Sequence, residues 1–339
     1  MKAVWIPKHG KPDVLELRES PDPAPGPGEV TIRVRAAGIN FADIMARQGL
    51  YPDAPSPPMV VGYEVSGVID SVGKGVTDRS EGQRVLAMTR FGGYADAVRV
   101  GAAQTFVMPE LMSFEEAAAL PVTYLTAYHM LFNVFRLRAG DHVLIHQAAG
   151  GVGTAASQLC KSLGGVTSYG TASKSKHEYV RDNGCDHAID YHCVDYVQEV
   201  RRLTDGRGVD CVLDALGGDD WKKGFSLLRP GGLLISFGWA NMAKFGKRRL
   251  SHLIGEFTHL PVWTPIRLMQ QNKGVAGVNM GQLWNETELS FDAFTALLKL
   301  YEQGLIKPRV DRCYAFEFAA KAHAYIEAGQ NTGKVLLKP

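Results

Sequence analysis

His142-Val143-Leu144-Ile145-His146, followed by Gln147-Ala148-Ala149-Gly150-Gly151-Val152-Gly153, is the stretch that decides the fold. Residues 142–146 read as a strand, the glycine run as a tight turn, and Gly151 to Leu163 as a helix. The turn fits A-x-G-x-x-G, a variant of the G-x-G-x-x-G fingerprint that lies between a strand and a helix. Gly150 lets the backbone approach a pyrophosphate, and Gly153 lets the helix sit close on the strand. The free amides that open the helix then face the anion. One glycine motif is weak alone, but strand and helix continue to alternate after it. Strands are expected at 166–169, 188–190, 209–214, 232–237 and 275–278, and helices at 174–183, 195–203 and 219–228. That rhythm predicts an α/β domain with a doubly wound parallel sheet of the Rossmann type, covered on both faces.

Upstream the pattern differs. Residues 30–35, 65–69 and 84–88 alternate as half-buried strands, and the Pro/Gly-rich 21–28 reads as a turn. Many short strands with glycine punctuation predict a small β-rich, barrel-like domain. Ser113 with Glu116 three residues on forms a capping box for a helix over 114–120. A second helix is expected over 121–134. Downstream, an amphipathic helix is expected at 291–301, another at 318–328, and a strand at 335–337.

Bulk properties narrow the class. The 339 residues suit two domains, and 45% hydrophobic with 21% charged residues are the proportions of a soluble globular protein. A formal net charge of +2 is too small a basic excess to neutralise phosphates, which argues against nucleic acid. No stretch is long and apolar enough to span a bilayer. Met1-Lys2-Ala3-Val4-Trp5-Ile6-Pro7 lacks the apolar core of a secretory signal, and the five scattered cysteines form no C-x-x-C pair. A reducing, cytoplasmic location is therefore expected.

The second strand of the parallel sheet selects the dinucleotide. An NAD site carries Asp or Glu about 20 residues beyond the glycines, on the ribose 2′-hydroxyl. Here Tyr169-Gly170-Thr171-Ala172-Ser173-Lys174-Ser175-Lys176 offers hydroxyls and lysines, and no acid before Glu178. A 2′-phosphate wants such donors and is repelled by a carboxylate, so NADPH is predicted over NADH. Zinc is not expected. No cysteine precedes Cys160, His9 is the only histidine before His129, and Gly62-Tyr63-Glu64 stands where a zinc enzyme would place Gly-His-Glu. His142 and His146 lie on a strand, where core or surface roles are expected.

With these residues in hand, the chain resembles the quinone oxidoreductase branch of the medium-chain dehydrogenase/reductase superfamily. The resemblance covers essentially the whole chain. It rests on Ala37-Gly38-Ile39-Asn40-Phe41-Ala42-Asp43, Arg47-Gln48-Gly49-Leu50-Tyr51-Pro52, Gly92-Gly93-Tyr94-Ala95 and the Ala148–Gly153 loop. Gly170-Thr171-Ala172-Ser173, Ile189-Asp190-Tyr191-His192 and Gly333-Lys334-Val335-Leu336-Leu337 resemble more narrowly the vesicle amine transport group. The resemblance implies a GroES-like catalytic domain from 1–123 and 282–339, and a Rossmann NADPH domain from 124–281. It implies that Ala149, Gly150, Gly151 and Val152 hold the pyrophosphate. Gly170, Thr171, Ser173, Lys176 and Tyr191 would line the adenosine-phosphate pocket. Asn40, Thr126, Phe237, Gly238 and Lys334 would lie toward the nicotinamide. It also implies a homodimer paired along the 275–278 edge.

The implied chemistry is metal-free reduction of a quinone or an α,β-unsaturated carbonyl bound in the cleft between the domains. Negative charge develops on the acceptor's oxygen and needs donors. Asn40 and Tyr51 are the expected catalytic residues, with Tyr63, Trp239 and Met280 as further substrate contacts. Two alternatives stand beside it. An enoyl thioester reductase uses the same fold and cofactor. A membrane-peripheral, lipid-binding protein is motivated by the 244–254 stretch, where Lys244, Lys247, Arg248 and Arg249 mix with Phe245, Leu250, Leu253 and Ile254; a solvated lid is the preferred reading of that stretch.

The cofactor reading yields one prediction. Lys176→Ala weakens NADPH by about 1–3 kcal/mol and leaves NADH nearly unchanged, read as Kd by titration; equal losses for both reject the 2′-phosphate assignment.

Overall fold

Ile32, Val34 and Ala36 are buried while Arg33 and Arg35 between them are exposed. That alternation is what one strand requires when a single face meets a core. The computed structural model describes residues 1–241 and 260–339. It divides into two units, Met1–Leu125 with Met280–Pro339, and Thr126–Asn279. The basic and apolar stretch at 244–254 lies outside the described residues.

The first unit opens with β1 (Lys2–Ile6), β2 (Glu16–Glu19), β3 (Glu29–Gly38), helix α1 (Phe41–Gln48), β4 (Met59–Val60), β5 (Glu64–Val72), β6 (Arg84–Met88), β7 (Ala97–Gly101) and β8 (Thr105–Val107). Helices α2 (Phe114–Ala119) and α3 (Pro121–Tyr128) follow. The second unit contains β9 (His142–Ile145), α4 (Gly151–Leu163), β10 (Thr167–Thr171), α5 (His177–Asp182), β11 (His187–Ile189), α6 (Tyr196–Leu203), β12 (Val209–Asp214), α7 (Asp219–Leu227), β13 (Leu228–Ser236), α8 (Pro265–Gln271) and β14 (Gly274–Gly277). The chain returns to the first unit through α9 (Thr287–Glu302), β15 (Val310–Ala315), α10 (Ala319–Glu327) and β16 (Lys334–Lys338).

Strand β3 organises the first unit. One edge pairs antiparallel with β5 along its length, from Val30 opposite Val72 to Ala37 opposite Val65. The other edge is shared: β7 takes the first half and β16 the second, Leu337 opposite Ala37. The seven-stranded sheet therefore bends around a core of Val30, Ile32, Ile69, Val85 and Leu337, with Phe316 from the returning chain. Each such side chain contributes roughly 1.5–3 kcal/mol on burial. The pairing of β16 with β3 also fixes where Lys334 falls.

The second unit is a parallel sheet in the order β11-β10-β9-β12-β13-β14, the doubly wound arrangement expected from the alternation. The order reverses between β9 and β12, the point outside whose carboxyl ends such sheets bind ligands. Helix α4 lays Ala155, Ala156, Leu159 and Cys160 against the sheet. Gly153 is what lets it do so: a Cβ there would stand 2.4 Å from the Gln147 carbonyl oxygen and 2.6 Å from the Ala148 Cα.

Three local expectations change. The helix expected over 121–134 is α-helical only to Tyr128; His129–Phe135 widens into a π turn, ended by Arg136 in the left-handed conformation at φ 62. There the chain turns back and Leu137 N–H donates to the Leu131 carbonyl at 2.8 Å. The helix expected over 174–183 begins as a 3-10 turn, Lys174–Lys176, and the buried His177 that follows places its ring Nε2 3.2 Å from the Ala172 carbonyl. Helix α1 was not anticipated, although Asp43 three residues after Asn40 and the left-handed Gly49 are its start and stop signals.

Gly153→Ala is expected to lower unfolding stability by about 1–3 kcal/mol, since both close atoms are backbone and cannot rotate away. Denaturant unfolding measures this; an unshifted midpoint would show that α4 does not rest on β9 as described.

Candidate functional site

In the second unit, residues from five loops gather at the carboxyl ends of the strands. After β9 the chain makes a sharp turn in which Gln147 takes a left-handed φ of 53 and its carbonyl accepts from Gly150 N at 2.8 Å. Gly150 caps α4 in an extended conformation, and the first intrahelical bond runs from Thr154 N to Gly150 O at 2.8 Å. The amides of Gly151, Val152 and Gly153 thus have no acceptor within the helix. They form an anion cradle of the kind a diphosphate requires, with the positive end of the helix behind it. Thr171 braces the loop: its carbonyl accepts from Ala148 N at 3.1 Å, and its hydroxyl from Gln147 N at 3.3 Å. Gly170 leaves room for Ala148, whose Cβ would lie 2.6 Å from a Cβ at 170.

Ser173 lies on the loop after β10 and Tyr191 on the loop after β11. Their hydroxyls lie 3.4 Å apart at the surface. Lys176 closes the 3-10 turn before α5 and is half-buried. After β12, the Asp214 carboxylate accepts from the amides of Leu216 and Gly217 at 2.7 and 2.8 Å. Gly217 has φ +77, and a Cβ there would strike the Trp239 indole at 2.4 Å. Trp221 packs beside Trp239, with ring centroids 5.6 Å apart. Phe237 N bonds Asp214 O at 3.0 Å, and Gly238 sits where a Cβ would be 2.9 Å from the Ala215 carbonyl. Thr126 is buried at the start of this unit.

In the first unit, β16 delivers Lys334 to Glu64 at the head of β5, where the two form an ion pair that is almost wholly buried. Asn40 completes it. Its amide N–H donates to Glu64 Oε1 at 2.8 Å, and Lys334 Nζ donates to its carbonyl oxygen at 2.6 Å. The other Glu64 oxygen accepts from Val122 N at 2.7 Å. The two charges set the orientation of the Asn40 carboxamide, which has two N–H bonds, of which Glu64 takes one.

One carboxylate beneath ties the surroundings together. Asp43, fully buried in α1, accepts from Asn40 N at 2.7 Å, Gly62 N at 3.0 Å and Tyr94 OH at 3.0 Å. Burial pushes its carboxyl up to about 7, while the donors and the Lys334 charge act against the shift. Tyr94 lies 3.3 Å from His323 Nε2, and burial, then the Arg47 charge, drives that imidazole down to about 3, so it is neutral. Arg47 is itself buried and pairs with Glu327. Beyond Gly62, Tyr63 stands edge-on to Tyr51 at 6.2 Å and against Phe91 at 5.2 Å. Burial raises both phenols, so each is a neutral hydroxyl at ordinary pH.

Of the residues expected from sequence, the first unit thus gathers Asn40, Tyr51, Tyr63 and Lys334. Met280 stands apart from them in a crevice lined by Met88, Phe106, Leu283 and Trp284. The second unit gathers Ala149, Gly150, Gly151, Val152, Gly170, Thr171, Ser173, Lys176, Tyr191, Phe237, Gly238 and Trp239. Sequence reasoning missed the roles of Asp43 and Glu64. The spacing of Asp43 from Asn40 was a readable cap signal, whereas nothing local connects Glu64 with a lysine 270 residues later. Among the described residues, no group of three or more His, Cys, Asp or Glu is placed to hold a metal ion, and no helix is long and apolar enough to cross a membrane.

Comparison with known proteins adds the following. The alcohol dehydrogenase GroES-like domain model matches residues 26–130, and the zinc-binding dehydrogenase model matches residues 183–337. The synaptic vesicle membrane protein VAT-1 homolog of Rattus norvegicus is 49% identical over 325 residues, 96% of this chain and 80% of its own. The crystal structure of the human VAT-1 homolog-like protein is similar at a TM-score of 0.87 and 37% identity, covering 100% of this chain and 98% of that one. The Escherichia coli quinone oxidoreductase complexed with NADPH is similar at a TM-score of 0.89 and 30% identity, covering all of both chains.

The buried Asp43 has a measurable consequence. Its folded carboxyl, at about 7, holds the proton more tightly than an ordinary carboxyl at 3.8. Its contribution to stability is therefore full below about pH 4 and is lost as the pH rises through about 7, with a limiting slope of about 1.4 kcal/mol per pH unit. Denaturant titrations across that window should show the wild type losing stability relative to Asp43→Asn. Parallel pH profiles for the two proteins reject the assignment.

Proposed function

The chain belongs to the quinone oxidoreductase branch of the medium-chain dehydrogenase/reductase superfamily, and from that footing we propose that it binds NADPH and reduces small quinones or α,β-unsaturated carbonyl compounds without a metal ion. The observation that carries this reading is the pairing of two features in the second unit. One is the glycine turn that opens α4 with uncommitted amides. The other is the run after Tyr169, where hydroxyls and lysines occupy the place at which an NAD enzyme holds a carboxylate. The E. coli relative's complex with NADPH supports it.

The residues present fit the dinucleotide. Ala149, Gly150, Gly151 and Val152 supply backbone for the diphosphate, and side chains at 150 and 153 would obstruct it or the helix behind it. Ser173, Lys176 and Tyr191 supply donors for the 2′-phosphate, with Gly170 and Thr171 as the wall. Thr126, Phe237 and Gly238 serve the nicotinamide end, while Lys334 acts in its own unit by holding Asn40 and Glu64. When bound, the dinucleotide supplies the hydride.

The chain's own part is to receive the negative charge that develops on the acceptor oxygen. Asn40 suits this because Glu64 and Lys334 hold its carboxamide in one orientation, so no reorganisation is needed at the moment of reaction. Tyr51 is a neutral phenol that donates without losing its own proton. Tyr63, beside Tyr51 in the same unit, offers an aromatic face to a flat acceptor, whereas Met280 lies in a separate crevice. The metal-free reading is supported by the donor set: Tyr63 replaces a histidine, and the Glu64 carboxylate is committed to Lys334, Asn40 and Val122. The same reading takes the protein as a cytoplasmic homodimer, β14 being the outermost strand of its sheet.

The test follows NADPH absorbance with purified protein and a naphthoquinone, a simple enone or a crotonyl thioester. Turnover of the quinone or enone is expected, with Asn40→Ala lowering kcat roughly 100-fold and Tyr51→Phe by about tenfold or more. Turnover of the thioester alone moves the substrate class to enoyl thioesters, and full activity in both variants removes the site assignment.

A further inference from the structure

Two adjacent loops of the second unit converge on one hydroxyl. Ser173 Oγ, on the loop after β10, lies 3.4 Å from Tyr191 OH and 3.3 Å from His192 Nε2, both on the loop after β11. The Tyr191 and His192 rings lie against one another, with centroids 4.2 Å apart. All three groups reach solvent, so the convergence is not core packing. It is held from below. The Asp190 carboxylate accepts from His192 N at 3.1 Å and from the Cys193 thiol, so the acid nearest the cluster is engaged in its own turn. Lys174 and Lys176 follow Ser173 in the 3-10 turn that it opens.

Two hydroxyls and an imidazole meeting at one exposed point, with lysines beside them and the nearby carboxylate occupied, have the composition of a site for a phosphate dianion. We propose that His192 is a ligand of the NADPH 2′-phosphate, donating from Nε2 together with the Ser173 and Tyr191 hydroxyls, and that it sets the preference for the phosphorylated coenzyme. When the ring carries its proton on Nε2, that N–H donates to Ser173 Oγ. A phosphate oxygen is the stronger acceptor and replaces that partner without moving the ring. The Tyr191 face restricts the imidazole's rotation, so little side-chain entropy remains to be lost on binding. Sequence reasoning stopped at Tyr191 because only the register of β11 against β10, Thr171 opposite Ile189, brings the next residue back over Ser173.

This inference rests on the NADPH reading, and binding separates the two. Calorimetry compares 2′,5′-ADP with 5′-AMP, which differ by the phosphate in question. Wild type is expected to prefer 2′,5′-ADP. His192→Ala should weaken it about tenfold to a hundredfold and leave 5′-AMP unchanged. His192→Phe, which keeps a ring against Tyr191 but has no N–H, should lose as much as alanine. If phenylalanine restores affinity, or both nucleotides weaken together, the ring acts only as a packing or adenine platform and the proposal fails. A selective wild type with unaffected His192 variants overturns this inference alone, whereas a wild type that does not distinguish the nucleotides overturns the NADPH reading and this inference with it.

Discussion

A helix can open directly above the end of a parallel strand only if nothing projects between them, and in this protein that condition is met at Gly153. Its missing side chain lets α4 settle on the backbone of Gln147 and Ala148. The settled helix leaves the amides of Gly151, Val152 and Gly153 facing outward at the point where the sheet order reverses. The left-handed turn at Gln147, the brace from Thr171 and the small residue at 170 all serve that one close approach. The second unit's capacity for an anionic ligand follows from it, because a helix displaced by even a methyl group would aim its amides elsewhere.

The first unit solves a different problem, which is to keep charge in its interior. Separating an ion pair from water costs several kcal/mol per ion unless further hydrogen bonds compensate. Glu64 and Lys334 have that compensation in Asn40 and the Val122 amide. Asp43 has three donors, one of them the backbone of Asn40 itself. The network is therefore coupled: the side chain of Asn40 is set by one buried acid and its backbone by another. Arrangements of this kind tolerate little repacking, since removing any one partner strands a buried charge.

The two units present different kinds of donor. The parallel-sheet unit presents backbone amides and surface hydroxyls, many weak donors on a rigid frame. The barrel-like unit instead fixes one carboxamide and a pair of phenols in a largely desolvated setting, where each donor is worth more than in water. Burial serves both ends there. It holds Tyr51 and Tyr63 neutral as donors, and it holds His323 uncharged beside Tyr94.

What the chain order alone determined is whatever depends on near neighbours. The strand, glycine turn and helix at 142–163 are local, as is the alternation that makes a doubly wound sheet, and so is the absence of a carboxylate between Gly170 and His177. Each was legible because strand period, helix start and turn chemistry are set within a few residues. The π turn after Tyr128 and the burial of His177 were not, since residue pattern alone does not distinguish a widened or tightened turn from a regular α-helical one. Asn40, Tyr51 and Lys334 were named from sequence, but not what they do to one another. Only the pairing of β16 with β3 carries Lys334 across 270 residues to Glu64, and only the register of β11 on β10 sets His192 over Ser173. Such contacts are decided by the tertiary structure because their energy comes from desolvation and hydrogen-bond geometry, quantities that exist only once distant segments share an interior.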